Sequence, residues 1–255
     1  ILYPTFTELL GYRPDNDEWK VMALSAMNVP YEKYYDRLRG TVRLLDDGFF
    51  ELDQTYYKGA IVDQPSLFTP KLVELMGGRI GVPGEEAGEW HACVAKAMQR
   101  LSEDIAYNMV NKAYELTGSE NLVLGGGFFM NCVFNGKVLE NTPFKRVYVT
   151  HSPADVGNCF GAALYVAHCI LDQPRKKIHS SSFLGPSYSG SEIESVLQRR
   201  KIPFTKVGNR SQFAAELLSK GEVVAVLQGR MEFGERALGN RSILGDPRHA
   251  NIKDK

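Results

Sequence analysis

An α/β fold is what this 255-residue sequence predicts, on three observations. Between residues 121 and 171 the order runs strand, glycine turn, helix, strand, loop, helix, the alternation of a layered sheet. Residues 91–116 carry apolar side chains at three- and four-residue spacing, the mark of a long amphipathic helix. Earlier still, "TVRLLDDGFFELD" places apolar runs on either side of Asp47-Gly48, a dipeptide suited to the tight turn of a hairpin.

Taken in order, "NDEWKVMALSAMN" (Asn16 to Asn28) reads as a short helix-like or turn-rich piece, followed by the hairpin. A short helical pattern runs from about Phe68 to Met76, and the Gly/Pro-rich "GGRIGVPGEEAGE" reads as a loop. In the long helix Val94, Ala97, Met98, Leu101, Ile105, Met109, Ala113 and Leu116 share one face and are assigned to the core, with Gly118 as terminator. "NLVLGGG" is a buried-strand pattern running into glycines, and "FFMNCVFNGKVLEN" a helix start with a short helix. "RVYVT" is a strand, and "HSPADVGNCFGAALYVAHCIL" a loop feeding a helix. Periodicity stops in residues 173–182, where a domain boundary is expected. Beyond it "SGSEIESVLQRR" and "SQFAAELLSK" are amphipathic helices, and "VVAVLQ" is a strand.

Lys plus Arg number 30 and Asp plus Glu number 30, so the net charge is zero. The basic excess of a large nucleic-acid surface is absent, and no nucleic-acid partner is expected. No apolar run approaches the roughly 18 residues of a membrane span, and the first residues do not have the pattern of a signal peptide. No membrane association is expected, and the cytoplasm is the default compartment. The four cysteines, Cys93, Cys132, Cys159 and Cys169, lack CxxC spacing and sit in apolar surroundings, which predicts buried free thiols.

Chemistry concentrates in three places. At "LGGGFFMN" (Leu124 to Asn131) a strand ends in Gly125, Gly126 and Gly127 before a helix. Backbone N–H groups and a helix N-terminus there can cradle phosphate, and a purely structural glycine turn is the equal alternative. Neither the Walker A lysine nor the dinucleotide spacing is present. In "PADVGNCFGAA", Asp155 lies between a strand and a helix. It reads either as a helix N-cap or as a carboxylate holding a metal, with His151 four residues earlier. The third place is "GRMEFGERALGNRS" (Gly229 to Ser242), where Arg230, Arg236 and Arg241 alternate with Glu232, Glu235 and three glycines. A solvated, charge-balanced loop is the plain reading of that composition.

The segments "NLVLGGGFFMNCVFNGKV", "PFKRVYVTHSPADVGNCFGAAL" and "GRMEFGERALGNRSILGDPR", in this order, resemble the O-carbamoyltransferase family of nodulation-factor, cephamycin and tobramycin tailoring enzymes. "DEWKVMALSAMN" is similar to a further family segment, more loosely. The resemblance implies the second half of an actin-like ATPase-type domain (residues 1–176), related to the enzymes of threonylcarbamoyl-adenosine synthesis, followed by the start of a YrdC-like α/β domain (residues 177–255). It implies that ATP and carbamoyl phosphate form carbamoyl adenylate, whose carbamoyl group passes to a hydroxyl of a small-molecule acceptor with an iron-type divalent metal bound. By position Asp155 matches the metal-binding aspartate, and Gly125 to Gly127 with Asn131 match the nucleotide-facing loop. Arg230, Glu232, Arg236, Asn240 and Arg241 match the segment contacting the adenylate. Guanidinium forks hold phosphate oxygens in fixed geometry, which turns the third segment from a solvated loop into a ligand clamp.

Three departures accompany the resemblance. Glu235 replaces the family's proline and brings a negative charge beside Arg236, with which it is expected to pair when the site is empty. "MALSAMN" departs from the family's Met-Gly-Leu-Ala-Pro-Tyr-Gly pattern on the acceptor side. The family's His-x-x-x-His metal pair is expected upstream of Ile1 and the rest of the YrdC-like domain beyond Lys255, as in the middle of a longer enzyme. A non-catalytic nucleotide-binding or assembly module of the same fold, and a relative in tRNA or hydrogenase-cofactor carbamoylation, are the rival readings. No cysteine or serine has a paired base, so no covalent acyl-enzyme is expected.

Overall fold

A computed structural model describes residues 1–58, 65–175, 181–249 and 252. Helix and strand are mixed, as expected, and the chain divides into two compact units. The first comprises residues 1–124 and 131–148, the second residues 125–130 and 149–255. The domain boundary expected at 176/177 lies outside the described residues.

The first unit is organised by one long helix. It begins with α1 (Leu2–Leu9), α2 (Glu18–Ser25) and α3 (Glu32–Arg39), then β1 (Val42–Leu44), β2 (Phe50–Leu52) and α4 (Pro70–Leu75). α5 (Glu89–Thr117) follows, and α1, α2 and α3 pack against it. Val94, Ala97, Met98, Leu101 and Ile105 on its predicted face join Phe6, Leu9, Val21, Leu38 and Leu72 in one core. That face is covered only part of the way along: Met109 is 45% exposed and Leu116 is 76% exposed, which corrects their assignment to the core. Periodicity identifies the face of a helix and not how far its neighbours extend over it. The helix ends at Gly118, whose φ of 61° places it in the left-handed region that terminates helices.

β1 and β2 form the expected antiparallel hairpin, with Val42 opposite Leu52 and the ion pair Arg43–Glu51 directly across the strands. Ahead of α5, Glu85 accepts the Val82 N–H at 2.7 Å and binds Arg79 and the buried His91. His91 Nδ1 accepts the Gly88 N–H, so its proton sits on Nε2 and is donated to Glu85. The loop is thus tied to the first turn of the helix.

After α5 come β3 (Asn121–Leu124), a 3₁₀ turn (Gly127–Met130), α6 (Cys132–Asn135), α7 (Val138–Asn141) and β4 (Arg146–Val149). β3 pairs with β4, yet only Leu124 of β3 is buried, so the buried-strand reading of "NLVL" holds for one residue of four. Instead of one layered sheet, the described residues form three two-stranded sheets. α5 and α6 are joined by a buried polar network. Gln99 and Asn131 exchange side-chain hydrogen bonds at 2.8 and 3.2 Å, Tyr3 donates to Gln99 at 2.6 Å, and Gln99 donates to Glu103 at 2.9 Å. Lys137 reaches the same Glu103 carboxylate at 2.8 Å.

The second unit holds α8 (Gly157–Tyr165), which continues as a π-helical turn (Val166–Ile170), then α9 (Gly190–Arg199), α10 (Arg210–Ser219), β5 (Val224–Leu227) and β6 (Arg241–Leu244). A capping box starts α9, with Ser189 and Glu192 bonding each other's backbone N–H, and Asn209 caps α10. β5 and β6 are antiparallel, Val224 opposite Leu244 and Leu227 opposite Arg241, so residues 228–240 are a hairpin loop. β6 went unread in the sequence. Beyond it the Asp246 carboxylate takes the Arg248 guanidinium and backbone N–H. The four cysteines are free as expected, but only Cys93 is buried and the other three are exposed.

Two outcomes follow. Asn131→Ala removes the α6 cap and takes from Gln99 one of its three side-chain partners, which is expected to cost about 1–3 kcal/mol and to lower the urea midpoint; a midpoint equal to wild type would contradict the network. The second concerns acid. The Arg248 side chain, then its N–H, holds the Asp246 carboxyl down at about 2. A depressed carboxyl stabilises fully above its unfolded value of about 4 and loses that contribution as pH falls through about 2. The Tm gap between wild type and Asp246→Asn is therefore expected to be largest near neutrality and to close toward pH 2. A gap constant over that range would show that the ion pair contributes nothing.

Candidate functional site

The loop between β5 and β6 carries the arginine-rich motif, and its shape is set by one carboxylate. Glu232 is 9% exposed, and its Oε1 accepts the N–H groups of Leu238 at 2.8 Å and Asn240 at 2.7 Å. The Asn240 N–H first, and the Leu238 N–H with it, hold this carboxyl below the usual range. Asn240 closes the base of the loop. Its Nδ2 donates to the Arg230 carbonyl at 2.7 Å, and its own carbonyl accepts the Gln228 N–H at 3.0 Å. The side chains of Glu232 and Asn240, expected to contact ligand, are turned onto the loop's own backbone.

The three arginines are used differently. Arg230 donates from Nε to the Gly185 carbonyl at 3.0 Å and from Nη2 to the Leu184 carbonyl at 2.9 Å. Arg241 donates from Nη1 to the carbonyls of Gln228 and Asn240. Arg236 is exposed, and among the described residues its guanidinium has no hydrogen-bond or ion-pair partner. Glu235 does not pair with it either, contrary to the expectation of a latch. Both residues are exposed.

Two further segments of the second unit press against this loop. The Phe233 N–H donates to the Ser182 carbonyl at 2.6 Å, and Met231 exchanges backbone bonds with Gly185 and Pro186. The Phe233 ring meets His151 edge-on at 6.0 Å between centroids. Gly234 has φ 128°, and a Cβ there would lie 2.5 Å from Ser152 Oγ and 2.9 Å from the His151 carbonyl. Only glycine fits that approach. Ser152 and residues 182–186 were not singled out in the sequence, and His151 was noted only beside Asp155, because their link to the motif is spatial.

The segment from His151 leads to Asp155. Asp155 is exposed, and its carboxylate makes no hydrogen bond among the described residues. The N-cap of α8 is Val156, with no side-chain cap bond, so Asp155 is not the cap. Its carbonyl accepts the Asn158 N–H and Ala154 accepts that of Gly157, which leaves the carboxylate nothing to cap. Among the described residues no group of three or more His, Cys, Asp or Glu could hold a metal ion. One free carboxylate does not make a metal centre, so the residues present do not by themselves fit the implied metal.

The glycine turn is held to the same segment. Gly126 has φ 119° and gives its N–H to the Pro153 carbonyl at 2.7 Å, so that donor is not turned toward an anion. No heavy atom would meet a Cβ at Gly125 within 4 Å, and one at Gly127 would only touch Ala154 at 3.9 Å. Asn131, grouped with this turn in the sequence, belongs to the first unit. Its Oδ1 accepts the Phe134 N–H at 3.1 Å and a bond from Gln99, and its Nδ2 donates to Gln99 and Tyr3, so every donor and acceptor of the amide is engaged. A cleft of about 470 Å³ in the first unit, walled by Pro30, Tyr34, Trp90 and Cys93 among others, contains none of the expected site residues.

Residues 1–164 match the family model described as carbamoyltransferase N-terminus, and residues 215–255 match the one described as carbamoyltransferase C-terminus. The chain is 34% identical to an uncharacterized protein of Synechocystis sp. over 99% of its own length and 42% of that protein's. It is 32% identical to nodulation protein NolNO of Sinorhizobium fredii, over 100% of this chain and 36% of that one. With 3'-hydroxymethylcephem-O-carbamoyltransferase of Amycolatopsis lactamdurans it shares 27% identity over 99% of this chain and 43% of the other. The chain thus spans less than half the length of these relatives. No helix among the described residues is long and apolar enough to cross a membrane. Two family models that together cover most of the residues, and relatives at 32–34% identity over nearly all of this chain, show the family: the chain belongs to the carbamoyltransferase family.

Proposed function

We propose that the protein of which this chain forms part is an ATP-dependent O-carbamoyltransferase. In this reading water cleaves carbamoyl phosphate to carbamate and inorganic phosphate, and a carbamate oxygen then attacks the α-phosphorus of ATP, displacing pyrophosphate and leaving carbamoyl adenylate. The hydroxyl of a small-molecule acceptor then attacks the carbamoyl carbon, the bond from that carbon to the phosphate oxygen breaks, and AMP leaves. Residues 1–176 would be the C-terminal part of an actin-like domain and residues 177–255 the start of a YrdC-like domain. One relative's name, 3'-hydroxymethylcephem-O-carbamoyltransferase, points to an acceptor that presents a hydroxymethyl group.

The observation that carries the reading is the free guanidinium of Arg236 on a loop where Glu232, Asn240 and Arg230 are turned onto backbone groups. A fork held in place and not yet paired is suited to the adenylate phosphate. It would also stabilise negative charge developing during attack, where a preorganised donor counts most. Arg230 and Arg241 serve as struts, and Glu232 and Asn240 hold the loop. Gly125, Gly126 and Gly127 would leave room for the nucleotide. Asp155 would offer one carboxylate to a divalent metal of the iron type, whose remaining donors are not gathered among the described residues.

The direct test is pyrophosphate release by the full-length protein, with its metal, from ATP and carbamoyl phosphate. Release is expected; its absence with and without hydroxyl acceptors would favour a non-catalytic nucleotide-binding module. At Arg236, substitution by lysine keeps the charge and loses the two-pronged donor. The loss of one charge-assisted hydrogen bond is worth about 1.5–3 kcal/mol, so transfer is expected to fall about ten- to a hundredfold. The Tm should stay put, since the side chain is exposed and has no hydrogen-bond or ion-pair partner among the described residues. Arg230→Lys should do the reverse, lowering Tm through its lost bonds to the Leu184 and Gly185 carbonyls. Wild-type transfer in Arg236→Lys would return the loop to a charged surface turn.

A further inference from the structure

The family motif treats the charged residues of "GRMEFGERALGNRS" alike, but the geometry separates them. Glu232 precedes Arg236 by four residues, and its carboxylate takes amides from both residues that follow the arginine's turn, Leu238 and Asn240. The chain from 232 to 240 is therefore a ring closed through a side chain, with Arg236 opposite the closure. The carboxylate is almost out of water, while the guanidinium is in it. An acceptor buried on its own loop's N–H groups is badly placed to touch a ligand and well placed to fix the loop's shape.

We propose that Glu232 is the positioning residue for Arg236: it holds the loop in the conformation that presents the guanidinium, and it takes no part in the chemistry itself. This rests on the carbamoyl-transfer reading for the role of Arg236, but the tether itself does not. Without the carboxylate, the Leu238 and Asn240 amides have no acceptor in the loop. The remaining anchors stand at its two ends: the Phe233 N–H on Ser182 and the close approach of Gly234 to Ser152 before Arg236, and the bonds of Gly239 to Ser242 and Gln228 and of Asn240 to Arg230 and Gln228 after it. The span 235–238, which carries Arg236, is then left without a hydrogen bond among the described residues. A mobile arginine then pays orientational entropy when ligand arrives, which weakens binding of the transition state.

The test uses the full-length protein and pairs a structural with a kinetic readout. Amide hydrogen exchange without ligand is expected to speed up at least tenfold at Leu238 and Asn240 in Glu232→Ala. In Glu232→Gln, whose amide oxygen can still accept both bonds, it is expected to stay within about threefold of wild type. With ATP and carbamoyl phosphate as probes, pyrophosphate release and acceptor carbamoylation by Glu232→Ala should fall about tenfold or more. Glu232→Gln should recover most of that loss. In an Arg236→Lys background, Glu232→Ala should add less than about twofold, because it acts through the arginine already altered. Unchanged exchange in Glu232→Ala would overturn the tether. Full additivity of the two substitutions would overturn the positioning role, and so would a Glu232→Gln variant as inactive as Glu232→Ala with normal exchange, since the charge itself would then be acting on ligand. If Glu232→Ala does not fold, the glutamine variant decides alone through its exchange and rate. Exchange reads the loop without reference to turnover, so a failed tether is distinguishable from a failed carbamoyl-transfer reading.

Discussion

A carboxylate taken out of water must be given donors, and each unit of this chain is arranged around one that has been. In the first it is Glu103, reached by Gln99 and Lys137, with Asn131 and Tyr3 completing the set. In the second it is Glu232, supplied by two backbone amides of its own loop. The difference in donor type matters. Side-chain donors gather distant elements, here α5, α6 and the lysine that precedes α7. Backbone donors from residues a few places away can only shape a local turn. The first arrangement therefore builds a core, and the second builds a surface presentation.

The elements legible in the sequence were those with a local cause. Apolar spacing gave α5, the Asp47-Gly48 turn gave the β1–β2 hairpin, and Gly118 gave the helix end. What was illegible had a distant cause. The resemblance placed Asn131 in a nucleotide-facing loop by position, yet its partner Gln99 lies 32 positions away. Arg230 read as a ligand contact, yet its partners are carbonyls more than 40 residues earlier. Glu232 is the instructive middle case: its partners are six and eight residues on, near enough to be local, but no periodic pattern marks a side chain that bonds forward across a loop. β6 was missed because its four residues are defined by register with β5 and not by an apolar run of their own.

The three guanidinium groups of the motif illustrate the same point. A guanidinium is a fork for backbone carbonyls as well as for phosphate oxygens. Arg230 is taken up by the carbonyls of Leu184 and Gly185, and Arg241 Nη1 by those of Gln228 and Asn240. Neither composition nor spacing within the motif separates these two from Arg236. The family's proline position, held here by Glu235, falls on the free side of the loop, where an unpaired carboxylate faces solvent.

Gly234 deserves a mechanical description. At that point the loop's main chain comes down on the Ser152 hydroxyl and the His151 carbonyl, with one short side chain and no long one in the gap. A long side chain there would act as a spring, taking up small displacements by changing rotamer. Against a two-atom side chain and a backbone carbonyl there is little such compliance: a shift of a few tenths of an ångström on one side must be matched on the other or open a void. The contact is a joint with little slack.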